Sequence, residues 1–427
     1  MDLEGYARIL LKKGKEEKLA ELIAEVKDIP IEKAEKIAEA VFLEVKNAYS
    51  KTTPILDYFK SGVKMGEFGV GSRGEGDFYV HSKIGEMCRS ELDDAGVVRI
   101  GEYYLAISVD GIHSRLSEFP FIAGFHAARA AMRDVYVMGA KPLALFSDIH
   151  VADDGDVSKI FDHLAGIMAI SEATNVPLVS GSTLRIGGDM VIGERMTGAV
   201  GCVGVGKKVT RRRDAKKGDV ILMTEGAGGG TIATTAIYYG RHEIVDETIN
   251  VDFIKAAEAA LKHVEKIHAM TDVTNGGVRG DAMEISRVSK TKLVFEYEKL
   301  RGVVNKKVLN MLEELEIDFL GVSIDSLMII CPENDSEEIA EEIEKAGVRV
   351  EEVGWVEEGE GAYLIEDGEE KELKPRFRES AYTPIKKLVG EERPENFEEL
   401  KKRVDKAFEA ALRKKELVLK KLRKVPS

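Results

Sequence analysis

Four separated acidic motifs carry the residues best suited to chemistry. They are Glu91-Leu-Asp93-Asp94-Ala-Gly96, Ser108-Val-Asp110-Gly-Ile-His113, Arg133-Asp134-Val-Tyr-Val-Met-Gly139-Ala-Lys-Pro142 and Met270-Thr-Asp272-Val-Thr274-Asn-Gly-Gly277. Each sets an aspartate beside small or turn-forming residues, where a strand or helix ends. Carboxylates displayed in this way suit Mg²⁺, and Mg²⁺ in open sites commonly arrives with a nucleotide's phosphates. Other side chains are weaker candidates. His113, close to Asp110, is the one histidine kept as an acid or base, and a structural hydrogen-bonder is the more common role for such a residue. Arg73, in Gly69-Val-Gly-Ser-Arg73-Gly-Glu-Gly76, could clamp phosphate. That loop lacks the Gly-Lys-Ser/Thr ending of a phosphate-binding P-loop and reads equally as a mobile surface loop.

The elements that must position these groups follow from pattern. Gly96–Ile100 and Tyr103–Val109 read as strands joined by Gly101-Glu102, a two-residue turn with Gly first. A turn that tight pairs Ile100 with Tyr103. Its register sets Asp93 opposite Asp110 and Asp94 opposite Val109. Opposed like charges need a cation or donor between them. The other reading leaves Asp93 and Asp94 as solvated loop residues, and the two weigh evenly. Strands and helices then alternate over 53–208, with helices at 118–138 and 158–174 and strands near 143–150, 176–180 and 195–205. Ser180-Gly181-Ser-Thr183 is expected at a strand terminus, where ligands gather in α/β units. Arg211–Gly218 reads as a charged surface link. A second unit begins at Asp219, and Gly226–Gly230 forms a strand-to-helix turn that would suit an anion or simple packing.

Flanking segments differ in kind. Residues 1–50 show apolar positions at helical spacing and read as two amphipathic helices. The tail from about 376 is charged and ends in a helix with Val404, Phe408, Leu412, Leu419 and Leu422 on one stripe. The expected organisation is a helical extension over 1–52, α/β units over 53–210 and 211–375, and a helical tail over 376–427.

Composition sets limits. The chain has 427 residues, 44% of them hydrophobic, which supports real cores. With 76 acidic against 62 basic residues the net charge is −14, so nucleic acid is not expected as a primary partner. No apolar run reaches membrane-spanning length, and the N-terminus is charged and helical, so a cytoplasmic location is expected. Cys88, Cys202 and Cys331 are far apart and form no zinc or disulfide pattern. Cys202 and Cys331 lie in apolar runs and read as buried strand residues.

Taken in order, the motifs resemble the superfamily of aminoimidazole ribonucleotide (AIR) synthetase. It also includes selenophosphate synthetase, thiamine-monophosphate kinase and a hydrogenase maturation protein that dehydrates a carbamoyl group. Asp93-Asp94-Ala-Gly-Val is similar to the family's Asp-Asp-Ala-Ala-Val, and Ser108-Val-Asp110 to its Thr-Thr-Asp. Arg133-Asp134 through Pro142 is similar to the Ser-Asp-Val-Tyr-Ala-Met-Gly-x-x-Pro of selenophosphate synthetases. Gly181-Ser-Thr183 stands in the place of Gly-Gly-x-Thr, and Asp272-Val-Thr274-Asn-Gly-Gly in that of the second domain's Asp-x-Thr-x-Gly-Gly. The resemblance implies an α/β fold of two AIR synthase-like domains, the first contributing a half-barrel to a homodimer. It implies ATP and Mg²⁺ as cofactors and a small-molecule substrate. Metal ligands would come from Asp93, Asp94, Asp110, Asp134 and Asp272, and nucleotide contacts from Asp94, Asp110, Asp134, Gly181, Thr183, Asp272 and Thr274. The reactive cysteine of selenophosphate synthetases has no counterpart upstream of Asp93. The helical extensions match none of the four groups and leave room for a protein partner. An assembly factor without catalysis is therefore the alternative to an ATP-dependent enzyme of unassigned substrate.

Overall fold

The computed structural model describes residues 1–50, 52–88 and 93–423. Glu91 and Leu92 of the first acidic motif lie outside them. Among the described residues, no helix is long and apolar enough to cross a membrane.

The first sheet contains β1 (Gly96–Ile100), β2 (Tyr103–Gly111), β3 (Lys141–Val151), β4 (Leu178–Arg185) and β5 (Met196–Gly206), in the order β1-β2-β5-β3-β4. All neighbours are antiparallel except β3 and β4. Ile100 pairs with Tyr103 across the turn, and Gly101 takes the left-handed φ of 61° that the turn demands. The register is the expected one, but the ladder stops at Gly96–Ile107. Asp93 and Asp94 therefore never oppose Asp110 and Val109 on paired strands. Asp110 pairs instead with Val200 of β5.

The helices Pro120–Val137 and Ser158–Thr174 cover one face of this sheet. On the opposite face Val109, Val179 and Leu184 leave apolar side chains exposed, at 63%, 63% and 56%. Contiguous apolar surface of this kind is uncommon on a solvated face.

The second sheet contains β6 (Asp219–Thr224), β7 (Ala269–Asp272), β8 (Thr291–Glu296), β9 (Leu327–Pro332), β10 (Val350–Glu358), β11 (Gly361–Glu366) and β12 (Glu369–Glu372). Their order is β12-β11-β8-β10-β6-β9-β7. β6 and β9 are mostly apolar and almost wholly buried, and the short β7 is buried throughout, as strands covered on both faces must be. Cys202 and Cys331 are fully buried strand cysteines, as expected, and burial pushes each thiol up to about 12.

Pro120–Val137 joins the two sheets. Pro120 opens it at a position that needs no amide donor. Its alanines let it be buried nearly all round, against the first sheet on one side and β7 with the helix Asp252–Leu261 on the other. The approach to Ser158–Thr174 depends on glycine. A Cβ at Gly124 would stand 2.1 Å from the His163 carbonyl oxygen, and one at Gly166 2.1 Å from that of Phe121.

Three N-terminal helices, not two, form a separate small core: Leu3–Lys13, Glu17–Lys27 and Ile31–Ala48. Gly14, at φ 59°, ends the first, a break that the apolar periodicity alone did not reveal. Lys27 ties this bundle to Asp153 and Asp154 at 2.5 and 2.6 Å. The tail ends in a helix. Its helix Phe397–Leu422 buries only Phe397 and Leu400, which pack with Phe68 and Phe377, whereas Leu417 and Leu422 stay exposed. His263 and His268 do not share a helix. The helix Asp252–Leu261 ends before both, and His268 instead contacts Asp219 at 2.8 Å.

Candidate functional site

Three sequence-distant aspartates meet at a cleft of about 750 Å³ between the sheets: Asp94 and Asp134 line it, and Asp272 is buried beside them. Asp94 precedes β1, Asp134 projects from Pro120–Val137, and Asp272 ends β7. Each offers a carboxylate oxygen, and the three oxygens lie within 4.8 Å of one another. Asp110 lines the same cleft outside that group. Asp93 lies at the rim, 3.3 Å from the Arg211 guanidinium.

Concentrating these charges shifts their protonation. Burial pushes Asp94 up to about 7, Arg212 opposes the shift, and Asp272 adds to it. Asp110 rises to about 6, mostly through burial, with Arg133 pulling the other way. Asp134 lies well above the ordinary carboxylate range, because burial is joined by Asp272, Asp110 and Asp94.

Arginines from both units offset part of the charge. Arg133 donates from Nε to Asp272 at 3.1 Å and reaches Asp325, which also receives Arg129. Arg212 is 2% exposed, although Arg213, Lys216 and Lys217 of the same segment lie on the surface as its charge implied. Its guanidinium meets Asp94 at 2.5 Å, Glu284 at 2.7 Å and the Thr271 hydroxyl at 2.8 Å. Arg73 reaches Glu284 at 3.2 Å and the Thr274 hydroxyl at 3.3 Å. Its loop is no free flap, because Asp77 accepts from the Gly71 and Arg73 amides at 2.8 and 2.9 Å.

Among the buried polar atoms that lack a hydrogen-bond partner, one belongs to the aspartate cluster. Asp272 Oδ1 is buried with no hydrogen bond, although its other oxygen is bound by Arg133. A buried carboxylate oxygen left bare is costly unless a cation or donor reaches it. The hard oxygen donors of Asp94, Asp134 and Asp272 therefore fit Mg²⁺, with water and phosphate oxygens completing its shell.

His113 is fixed between two hydroxyls, with Nε2 2.9 Å from Tyr382 and Nδ1 3.1 Å from Thr234. Burial, reinforced by Lys386 and Arg115, holds it down to about 4, so it is neutral at neutral pH. Gly181 and Thr183 do not line the cleft. They lie inside β4, on its exposed run, because the strand continues to Arg185; the expected strand terminus at Ser180–Thr183 does not exist. Arg212, Asp281, Glu284, Asp325 and the segment Glu379–Lys386 went unrecognised in the sequence. For Arg212 no local signal exists, since a run of charges near a strand reads as surface.

Comparison with known proteins follows this geometry. Residues 92–205 match the AIR synthase related protein N-terminal domain, and residues 216–367 match the corresponding C-terminal domain. An uncharacterised protein of Methanocaldococcus jannaschii is 54% identical over 98% of both chains. The selenide, water dikinase of Myxococcus xanthus is 29% identical over 49% of this chain and 60% of that protein. In solved structures, the HypE–HypF complex aligns with TM-score 0.58 and 19% identity, covering 69% of this chain and 98% of that one. Thiamine monophosphate kinase from Aquifex aeolicus aligns with TM-score 0.52 and 20% identity, over 69% of this chain and 98% of that one. The chain belongs to the AIR synthase-related family and has its fold.

Proposed function

We propose that the cleft binds ATP with Mg²⁺ and that the protein is an ATP-dependent enzyme. It would phosphorylate a small polar substrate or activate one of its oxygens. The observation that carries this reading is the convergence of Asp94, Asp134 and Asp272 around the unpartnered Asp272 Oδ1. Similar proteins support it by name: selenide, water dikinase among the sequence relatives, and among the solved folds AaThiL with AMPPCP and TMP, and HypE with ATP.

Asp94, Asp134 and Asp272 hold the metal, and Asp110 stands beside them as a further ligand or an acceptor for its water. Asp93 serves the rim with Arg211. Bound Mg²⁺ would neutralise phosphate charge as the phosphoryl group transfers. Arg73 and Thr274 flank the metal on the side of the second unit, where a guanidinium can follow charge moving between phosphate oxygens. Neutral His113, held by Tyr382 and Thr234, orients the wall opposite. The α/β units divide near 53–210 and 211–375. Two chains pair through the exposed face of the first sheet; Gly181 and Thr183, paired with Ser147 and Ile149, lie on its other face.

Asp134→Asn tests the metal-bridged reading. By calorimetric titration it should weaken binding of MgATP by about tenfold or more, while metal-free ATP changes little. Wild-type protein that binds ATP equally well in EDTA would overturn the reading.

A further inference from the structure

The cleft has a second end, of opposite character to the carboxylate end. Its wall comes from the C-terminal segment after the second sheet, with Glu379, Tyr382, Ile385 and Lys386 all lining the cavity. The segment is preformed. The Glu379 amide donates to the Ser72 carbonyl at 2.8 Å, and the Ser380 amide to the Gly321 carbonyl at 2.9 Å. It is thereby fastened to the glycine loop on one side and the second unit on the other.

Glu379 is only 4% exposed. One of its oxygens accepts from Lys386 Nζ at 2.6 Å; the other is buried without a hydrogen bond. That bare oxygen needs a donor, and the protein supplies none. Across the same space, the Arg115 guanidinium lies 4.0 Å over the Tyr238 ring. Among the described residues no carboxylate pairs with it, so its charge is offered to the cleft. Lys386 Nζ lies 4.6 Å over the Tyr382 ring, Tyr382 bonds His113, and Arg115 lines the cleft two residues beyond His113, which places all three at one end.

We infer that this end is the subsite for the second substrate, a small carboxylate or phosphate that also carries a hydroxyl or amino group. The inference rests on the nucleotide reading, which assigns the carboxylate end to MgATP. The anionic group lies against Arg115 and Lys386, and the hydroxyl or amino hydrogen is donated to the free oxygen of Glu379. Tyr382 and His113, locked together at 2.9 Å, form the rigid floor between the two. The charge asymmetry sorts the ligands: metal goes to the carboxylates, and the organic anion to the cations.

Ligand-observed NMR titration of the full chain, saturated with Mg²⁺ and AMPPNP, tests this with two probe pairs. Acetate against glycolate reads a carboxylate substrate, and inorganic phosphate against glycerol 2-phosphate reads a phosphate one. In at least one pair the hydroxyl-bearing probe should bind about tenfold tighter than its plain partner, as a site built to accept a hydroxyl hydrogen requires. Arg115→Met should weaken both members of that pair by about tenfold. Glu379→Met should erase the preference for the hydroxyl. Lys386 is partly exposed, so Lys386→Met serves as the second variant should Arg115→Met fail to fold, and it too should weaken both probes. Unchanged probe binding in the folded cation variants would overturn the inference, as would absence of binding by all four probes. If AMPPNP itself fails to bind, the nucleotide reading falls, and the same titrations on nucleotide-free protein still judge the subsite.

Discussion

Arg212 shows most clearly how a single side chain holds the site together. It is buried against Asp94, Asp281 and Glu284, drawn from both sides of the cleft. Removing it leaves buried carboxylates uncompensated, which costs about 3–5 kcal/mol. Arg212→Met should therefore lower the urea midpoint strongly, and saturating Mg²⁺ should restore part of the loss by supplying another positive charge. Equal destabilisation with and without Mg²⁺ would count against a metal beside Asp94. The pH dependence follows from the raised carboxyls. Asp94 and Asp110, at about 7 and about 6, keep protons in the fold that the unfolded chain releases near its ordinary value of about 4. The stability this gives is fully present below that ordinary value and is lost as pH rises through 6 to 7. Protons also compete with metal at these carboxylates. Mg²⁺ should bind more weakly at pH 6 than at pH 8 and release protons on binding at neutral pH. Calorimetry in two buffers of different ionisation enthalpy reads that release directly.

At the scale of elements, the helix Pro120–Val137 is decisive. It carries Arg129, Arg133 and Asp134 and packs on both sheets, so its position sets the cleft geometry. Gly124 lets it approach Ser158–Thr174. On propensity alone Gly124→Ala should stabilise a helix by about 1 kcal/mol. The close His163 carbonyl reverses the sign, and we expect a loss of about 1–3 kcal/mol or more by urea denaturation. A gain in stability would show that the helices can separate without cost. The same element shows what pattern could reveal. Its ends were legible to within two residues because Pro120 marks the start and Gly139 follows the end. β4 was misplaced because its second half, Gly181–Arg185, is polar and pairs with β3 only through tertiary register.

At the scale of the whole molecule, the exposed apolar face of the first sheet predicts assembly. Ile107 and Val109 on β2 are 39% and 63% exposed where a half-buried strand would turn polar residues outward. A symmetric homodimer would cover that face with a second copy of itself. Light scattering at micromolar concentration should give twice the monomer mass. Val109→Glu should shift the protein toward monomer without unfolding it, because the residue lies outside the intramolecular core. A wild-type monomer would exclude this arrangement.

The sequence by itself determined the ordered acidic motifs, the family resemblance, the tight β1–β2 register and the buried strand cysteines. These rest on local causes: turn chemistry, apolar runs and residue order within a motif. It left Asp93 and Asp94 equivalent, since both lie beyond the paired strands, and only the folded chain turns Asp94 inward to Asp134 and Asp272 while Asp93 meets Arg211. It also placed Arg212 in a surface link and gave no sign that Glu379 and Tyr382 meet the cleft. Burying an arginine, or seating Glu379 and Tyr382 in a cleft, depends on carboxylates and carbonyls supplied by elements hundreds of residues away. No periodicity records such partners. Tertiary structure therefore decided how the charges are paired, because the cost of burying each one is set by what the rest of the fold brings to it.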